Sequence, residues 1–542
     1  MNAGGVPNTC KFRSYPRPEA ENARGIVNSR RIGEFKNPLS GRGAWREAGG
    51  YMTVYLVLTL ASLLTLYLVL ISGARLGAAR MQMESVSRIA QNAALAEFHR
   101  EMHSRYDLFF TDTTYGGPGG GNEVLAQHLR NYMDSNLARK TALPFGGIRD
   151  WTSMEISDVR VPEARYACDN GGKAVREQVY AYMSADPAGA VISEMLVTAD
   201  QWRGLEISGR EWTAETEQSR EDLKQALRDQ REDWKQENEE KEEREEEVTA
   251  EEYEAASEKP SEAENMVDRM GSFQLLPVLR QVFGDIDGLS DRRVATKDVL
   301  SARKVHLGTG MTAANSHRYP RADEIVFDRY IYEKTGNCVK PSEDGQLRCQ
   351  TEYILCGKGS DRENLEGTAA RLILIREASN CAYLFTDESR MGQVRAVAAA
   401  ASLLLLNPEL EEPAAYALAL AWSYLESVQD VRILMKGGKV PVAKTGDSWK
   451  THLYELLTPM TAVRDRDGGE GLDYSAYLQG LLLLEGSSVK TRRTMDVMEM
   501  DLRRITGNSG FRMDLCLDEF NMNAGARACG TEFLFSGSSG YN

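Results

Sequence analysis

The chain has 542 residues, 42% of them hydrophobic, and a formal net charge of −15. That length exceeds one ordinary core, so two or three folded units are expected. The acidity is local: residues 211–264 carry 22 acids and 8 bases, whereas residues 1–50 carry 9 bases and 4 acids. An evenly acidic, DNA-mimicking surface is therefore excluded, and nothing in the chain argues nucleic-acid binding.

Residues 1–50 are rich in Arg, Gly, Pro and Asn without hydrophobic periodicity, and read as a disordered basic arm. Met52 is an alternative start. Tyr51 to Ile71 then runs 21 residues without a formal charge. A helix needs about 20 such residues to cross a bilayer, so residues 51–72 read as a membrane span. A buried core helix would show a polar face. Here the polar atoms are scattered hydroxyls that can bond back to the preceding turn. Arg42 and Arg46 precede the span, which places the N-terminus in the cytoplasm and the rest outside it. The rival reading is a cleaved signal peptide, with Ser72-Gly73-Ala74 as the small-residue site. The apolar run is longer than the roughly 7–15 residues of a signal core. Ala396–Leu406 and Ala414–Leu425 are too short to span and read as a buried helical hairpin.

Residues 73–115 are expected to extend the span as a long amphipathic helix. Leu76, Ala79, Met83, Val86, Ala90 and Ala93 recur in steps of three and four, a narrow seam for one partner helix or a second copy. Gly116-Gly117-Pro118-Gly119-Gly120-Gly121 ends it. Residues 122–208 read as a small α+β region, with helices over Glu123–Leu137 and Lys173–Met183 and a strand over Met154–Val161. The acidic run, residues 209–268, lacks a sustained apolar stripe and reads as a solvated helical or disordered linker. Residues 270–535 form the last domain, α+β and helix-rich. Ile325–Tyr332 and Gln350–Leu355 read as extended. Gly437-Gly438 reads as a hairpin turn between Val431–Met435 and Lys439–Val442.

Several motifs touch chemistry. His99 and His103 lie at i and i+4 with Asp107 one turn on, as three metal ligands would. Glu101 is misplaced for the zincin HExxH, so ordinary helical histidines are the simpler reading. Ser301-Ala-Arg-Lys304, Ser342-Glu-Asp344 and Lys444-Thr445-Gly446 match the SxxK, loosely the middle motif, and the KTG of penicillin-binding enzymes, in the right order and for the right compartment, but three such short patterns arise easily by chance. Ser487-Ser-Val-Lys490 is a second SxxK out of order. Gly308-Thr-Gly310 is too short for a nucleotide loop, and Asp465-Arg-Asp467 lacks the later ligands of a calcium loop. Glu377, Glu426 and Asp430, with Arg376 and Arg432, read as structural ion pairs in helices. Of eight cysteines, Cys338 with Cys349 and Cys516 with Cys529 are candidate pairs, against a reading in which all are buried free thiols. No catalytic, cofactor-binding or metal-binding residue is assigned.

Gly50-Tyr51, Met-Thr-Val-Tyr-Leu, a single span and Gly73-Ala74-Arg75-Leu76 entering a long helix resemble the pseudopilin-like TadE/TadG type of protein found with Flp (tight-adherence) pilus systems. EYILCGKGSDRENL from Glu352, LILIREASN, AWSYLESVQDVRILMKGGKVPVAKT and DSW, ending at Trp449, with YSAYLQGLLLL and FRMDLCLDEF, are similar to an uncharacterised bacterial family of single-span extracytoplasmic proteins. The resemblance covers most of residues 51–520 and implies no activity. Prepilin-type processing would cut after Gly50 and favours Glu where Tyr55 stands, so a static assembly component is implied rather than a polymerising pilin. The reading is an α+β protein anchored by one helix, with a non-catalytic role in pilus or cell-surface assembly and with envelope proteins as partners. The alternative is an extracytoplasmic serine hydrolase or acyltransferase of penicillin-binding type.

Overall fold

A computed structural model describes residues 48–137, 152–184, 192–243, 265, 267–268, 276–295, 297–310, 321–405, 407–457 and 466–541. The basic arm up to residue 47 with Cys10, residues 244–264 of the acidic run, and Asp465 lie outside the described residues. The chain forms two units, residues 1–72 and 73–542.

The first unit holds the apolar half of helix α1 (Ala48–Ala96). Among the described residues, α1 is the one helix long and apolar enough to cross a membrane. Its large side chains from Tyr51 to Leu70 stand exposed. The hydroxyls of Thr59, Ser62 and Thr65 donate to carbonyls three residues back, at 3.0, 2.8 and 2.8 Å, so these three need no acceptor from the surrounding solvent.

In the second unit the elements follow as α2 (Arg100–Tyr106), β1 (Thr111–Asp112), α3 (Asn122–Leu137), β2 (Glu155–Tyr166), α4 (Lys173–Ser184), α5 (Ile192–Glu243), α6 (Val278–Phe283) and α7 (Arg321–Lys334). Then come α8 (Gln350–Cys356), α9 (Asp361–Leu384), α10 (Glu388–Leu404), α11 (Glu411–Met435), β3 (Lys439–Val440), β4 (Leu472–Asp473), α12 (Tyr474–Leu484), α13 (Ser487–Arg503), β5 (Cys516–Ala528) and β6 (Thr531–Gly540). The class is α+β, as expected.

Strand β5 is the centre of an antiparallel sheet: β2 pairs with it along one side, β6 and the short β1 along the other. The later turns of α1 lie in the core built on this sheet. Ala79, Met83, Val86, Ala90 and Ala94 are buried together with Leu125, Leu129 and Met133 of α3 and with Phe520, Met522, Ala524 and Ala526 of β5. This corrects the expected self-association through residues 76–93. The seam is present, but the chain's own sheet covers it, and its alanines let the helix backbone come close. The sheet also joins β2, from the expected region 122–208, to strands of the expected domain 270–535, so that boundary does not divide the core.

The remaining helices share a second, larger core, running from Met102 and Leu108 through Val175, Trp202 and Phe327 to Leu372, Trp422, Leu481 and Met498. Helix α5 corrects the solvated-linker expectation over its described part. Trp202, Gly209, Thr216, Leu223, Leu227 and Gln230 are buried, mostly three, four or seven residues apart. A Cβ on Gly209 would lie 2.0 Å from the Leu374 carbonyl oxygen, so only glycine permits this approach of α5 to α9. The stripe was invisible to hydrophobicity because Gly, Thr and Gln compose much of it. Ile325–Tyr332 and Gln350–Leu355, expected to be extended, are helical within α7 and α8. Val431–Met435 is the end of α11, and β3 pairs with β4 instead.

If the α1 seam carries the sheet core, Met83→Ala should destabilise the detergent-solubilised chain by about 2–5 kcal/mol. Arg88→Ala, which removes an exposed ion pair with Glu84 on the other face, should cost under about 1 kcal/mol. Urea denaturation followed by circular dichroism measures both.

Candidate functional site

The densest polar cluster lies where α9 and α11 face each other. Arg376 and Asn380 are four residues apart on α9, and Glu426 and Asp430 are four apart on α11, so each pair shares a helical face. The Arg376 guanidinium donates to Asp430 at 3.0 Å, to the Pro441 and Val442 carbonyls at 2.8 and 2.9 Å, and to the Tyr477 hydroxyl at 3.0 Å. Lys444, from the loop after β3, places its ammonium 2.7 Å from Asp430 and 2.6 Å from Glu426. Glu426 also accepts the backbone N–H groups of Lys450 and Thr451 at 2.8 and 2.7 Å. Two cations thus face two anions, all four side chains fully or almost fully buried. Burial opposes the charge of Asp430, but Arg376 and Lys444 hold its carboxyl below the usual carboxylate range. A buried charge set closed in this way fixes the 439–451 loop against two helices.

A cavity of about 440 Å³ opens beside this cluster, lined in part by Asp430, Lys439, Thr445, Ser448, Lys450 and Glu470. Thr445 and Ser448 bond to each other across a tight turn, the Thr445 N–H donating to Ser448 Oγ at 2.8 Å. Thr445 of the KTG triplet therefore lines a cavity, but no serine of either SxxK motif bonds to Lys444.

Those serines lie elsewhere. Ser301 donates to Asp496 of α13 at 2.6 Å, and Asp496 also accepts the Tyr353 hydroxyl at 2.9 Å. Ser301's partner in sequence, Lys304, is exposed. Ser487 donates to Glu324 of α7. Lys490 is buried against Asp328 at 2.5 Å and Glu324 at 3.0 Å, with Arg176 on Glu324 at 2.8 Å. Each serine thus faces a carboxylate that anchors α13, and each buried lysine is held by two carboxylates. Ser342 donates its backbone N–H to the Arg348 carbonyl, closing a loop rather than facing Lys444. The three motifs of the acyl-serine reading are not brought together.

The histidine set separates likewise. His99 caps α2 by accepting the Met102 N–H, His103 stacks on Phe109, and Asp107 binds Lys334 at 2.7 Å. Among the described residues no group of three or more His, Cys, Asp or Glu could hold a metal ion. Thr309 of the Gly-Thr-Gly triplet makes an antiparallel bridge with Ala164 of β2, where a Cβ on Gly308 would meet the Ala164 oxygen at 2.0 Å. The seven described cysteines are free thiols. Cys516 and Cys529 sit at opposite ends of β5, which its extended backbone keeps roughly 40 Å apart. Arg432 donates to the Gln281 carbonyl at 2.8 Å.

Two buried carboxyls stand apart from these ion pairs: Glu352, which the sequence reading did not single out, and Glu377, which it expected in an ion pair and which instead accepts from hydroxyls. Glu352 of α8 accepts the Tyr474 hydroxyl at 2.7 Å and the Cys338 N–H at 2.8 Å, and burial pushes it up to about 7. Glu377 of α9 is also raised by burial to about 7, although the Thr213 and Thr216 hydroxyls of α5 bond to it. Glu352 lay in a segment read as extended, and Glu377 met a helix read as a linker.

Two outcomes follow from these geometries. Lys444→Met strands Glu426 and weakens the hold on Asp430, and should cost about 3–5 kcal/mol. Thr445→Ala, on the exposed rim, should stay within about 0.5 kcal/mol, both read by urea denaturation. For Glu377 the folded state binds the proton more tightly than the unfolded one. Stability therefore falls as pH rises from about 4.5 to about 7 and is flat above. Glu377→Gln, which keeps the neutral shape, should remove that slope. It should gain on the order of 3 kcal/mol relative to the parent at pH 8 compared with pH 4. Unchanged slopes in thermal melts across this range would refute the assignment.

Comparison with known proteins places the chain by family rather than by activity. No curated protein and no solved structure matches it. The model of a family described as of unknown function, DUF5702, matches residues 256–528, from the end of the acidic run to the end of β5 and just over half of the chain, and the protein belongs to that family.

Proposed function

We propose that the chain is a membrane-anchored extracytoplasmic protein that serves as a structural or assembly component, in a pilus or surface structure of the Flp/Tad kind, rather than as an enzyme. One observation supports this reading above the others: α1 carries both an exposed, uncharged apolar stretch and a seam buried in a sheet core. A helix that is apolar all round needs lipid or protein around it. A helix whose other half is part of a folded core cannot be removed without dismantling that core. The N-terminal helix is thus an integral part of the fold, which fits a retained anchor better than a cleaved signal. The basic arm before the span supports an N-terminus in the cytoplasm.

The internal closure of the charged clusters supports a scaffolding role. Lys444 of the KTG triplet and Lys490 of the second SxxK are each neutralised by two carboxylates, and Ser301 of the first SxxK donates to Asp496 while its Lys304 stands exposed. The resemblance of Gly50–Leu76 to TadE/TadG-type proteins supplies the pilus context, and Tyr55 in place of the pilin acid favours a component that does not polymerise.

The test is cross-linking in intact cells, followed by purification of the full-length chain from carbonate-washed membranes. The chain should stay in the membrane fraction, its C-terminal part should be digested by protease added to spheroplasts, and pilus-assembly components should be recovered with it. Release by carbonate, protection of the C-terminal part, or recovery of cell-wall enzymes alone would overturn the reading.

A further inference from the structure

The two long edges of the sheet are treated differently by the sequence. Strand β2 is guarded. Its pairing with β5 is broken by three register shifts, it contains Pro162, and Asp158 and Arg160 stand exposed as an ion pair. Side chains of α3 cap its carbonyls, Arg130 donating to Ile156 O at 3.2 Å and Asn122 to Val161 O at 3.1 Å. Strand β6 lacks these devices on its outer side: the side chain that bonds to one of its carbonyls, Gln91 of α1 on Gly537 O at 3.0 Å, meets a residue whose backbone pairs with β5. Its ten residues pair with β5 without a shift, and from Phe533 to Gly540 it has no charge and no proline. A long, regular, uncharged edge is a template for another strand, and natural proteins keep one exposed where pairing is used.

The backbone parity says which groups are available. Cys529 and Gly530, both at positive φ, form a two-residue hairpin turn, so Ala528 and Thr531 close it as a hydrogen-bonded pair. Tyr541 N–H donating to Asp518 O has the same parity at the far end. Odd residues of β6 therefore bond to β5. Glu532, Leu534, Ser536 and Ser538 turn their N–H and C=O groups to the open edge, where no described residue is seen to bond to them. Leu534 is 82% exposed on the same strand.

We propose that β6 pairs antiparallel with β6 of a second copy, in a two-fold register centred on Phe535. That register sets Phe535 against its own copy and Phe533 against Gly537, an aromatic ring over a bare backbone. Leu534 then faces Ser536 and Glu532 faces Ser538, so no like charges oppose each other. The strand is thus complementary to itself. Chains held in one bilayer raise their mutual effective concentration, which offsets the modest area of a single strand pair. The inference needs only the anchor and the sheet, not the pilus reading, and it replaces the buried α1 seam as the surface for self-association.

The test uses the full-length chain in membranes, with Cys10→Ser and Cys529→Ser to remove two background thiols. Adding Phe535→Cys brings two thiols together in a non-hydrogen-bonded pair with a Cα separation of about 4.5 Å, within disulfide reach. Mild oxidation should give a covalent dimer on non-reducing gels at least about tenfold above Asn523→Cys, an exposed position on the neighbouring strand. Leu534→Pro removes an edge-facing N–H without touching the β5 ladder and should abolish the dimer. Leu534→Lys keeps the N–H but adds a guarding charge, and should reduce it even if the proline variant folds poorly. A Phe535→Cys yield no higher than that of Asn523→Cys, a dimer that survives both Leu534 variants, or cross-linking only to a different protein would each overturn the proposal. Loss of the dimer with pilus components still recovered would separate this inference from the proposed function.

Discussion

The structure depends on one helix meeting two surroundings. Over its apolar stretch α1 has no charge to place and ties the hydroxyls of Thr59, Ser62 and Thr65 to its own carbonyls. Over its later turns it packs alanine, methionine and valine against β5 and α3. Small residues matter in that second part. Ala79, Ala90 and Ala94 are fully buried, and the backbone-to-sheet distance they allow is one that leucines at those positions would widen. The sheet in turn relies on β5, thirteen residues long and paired on both sides, which brings the C-terminus back beside the helix that began the fold. Gln91 of α1 donating to the Gly537 carbonyl of β6 spans almost the whole second unit.

The helical body is held by a different device. Charged side chains are buried at helix interfaces and closed by opposite charges: Arg376 and Lys444 with Asp430 and Glu426, Arg176 and Lys490 with Glu324 and Asp328, Arg303 with Glu499 and Asp514. Such sets contribute little net stability compared with apolar packing, but they penalise any register that leaves one charge unpaired. They join segments far apart in sequence, so they select one arrangement of helices among several of similar apolar burial. The carboxyls without a cation, Glu352 and Glu377, are instead raised by burial and bonded to hydroxyls.

What could be read from the residues follows this division. The span and the seam were legible because apolar periodicity on a helix with one buried face is a direct signal; the end of that helix was not, since α1 stops at Ala96 and α2 and β1 occupy the stretch to 115 that was expected to continue it. What covers the seam was not legible, since alanines at steps of three and four suit a sheet as well as a helix. Ile325–Tyr332 looked extended because it is rich in aromatic and β-branched residues. In α7, Ile325, Phe327, Asp328, Tyr330 and Ile331 are all buried, and burial on several sides erases the period of 3.6. Gln350–Leu355 is buried at every position, with the same effect. Helix α5 failed for the opposite reason. Its contact stripe uses glycine and threonine, which score as neutral, and its charges dominated the reading.

The candidate site shows the same limit at the level of chemistry. Arg376 with Asp430 could be inferred from charge placement on two apolar helices, because a buried charge demands a partner. The role of Lys444 could not, because a KTG triplet looks the same whether its lysine faces a nucleophile or two carboxylates. Motifs state which groups are present. The pairing of those groups decides what they can do, and here it ties Lys444 and Lys490 to carboxylates and Ser301 to Asp496. The surface argument runs in parallel. The lack of charge from Phe533 to Gly540 carried no message in the sequence; only the place of β6 at the rim of the sheet, opposite an edge bearing a proline, an ion pair and two capping side chains, gives it a meaning.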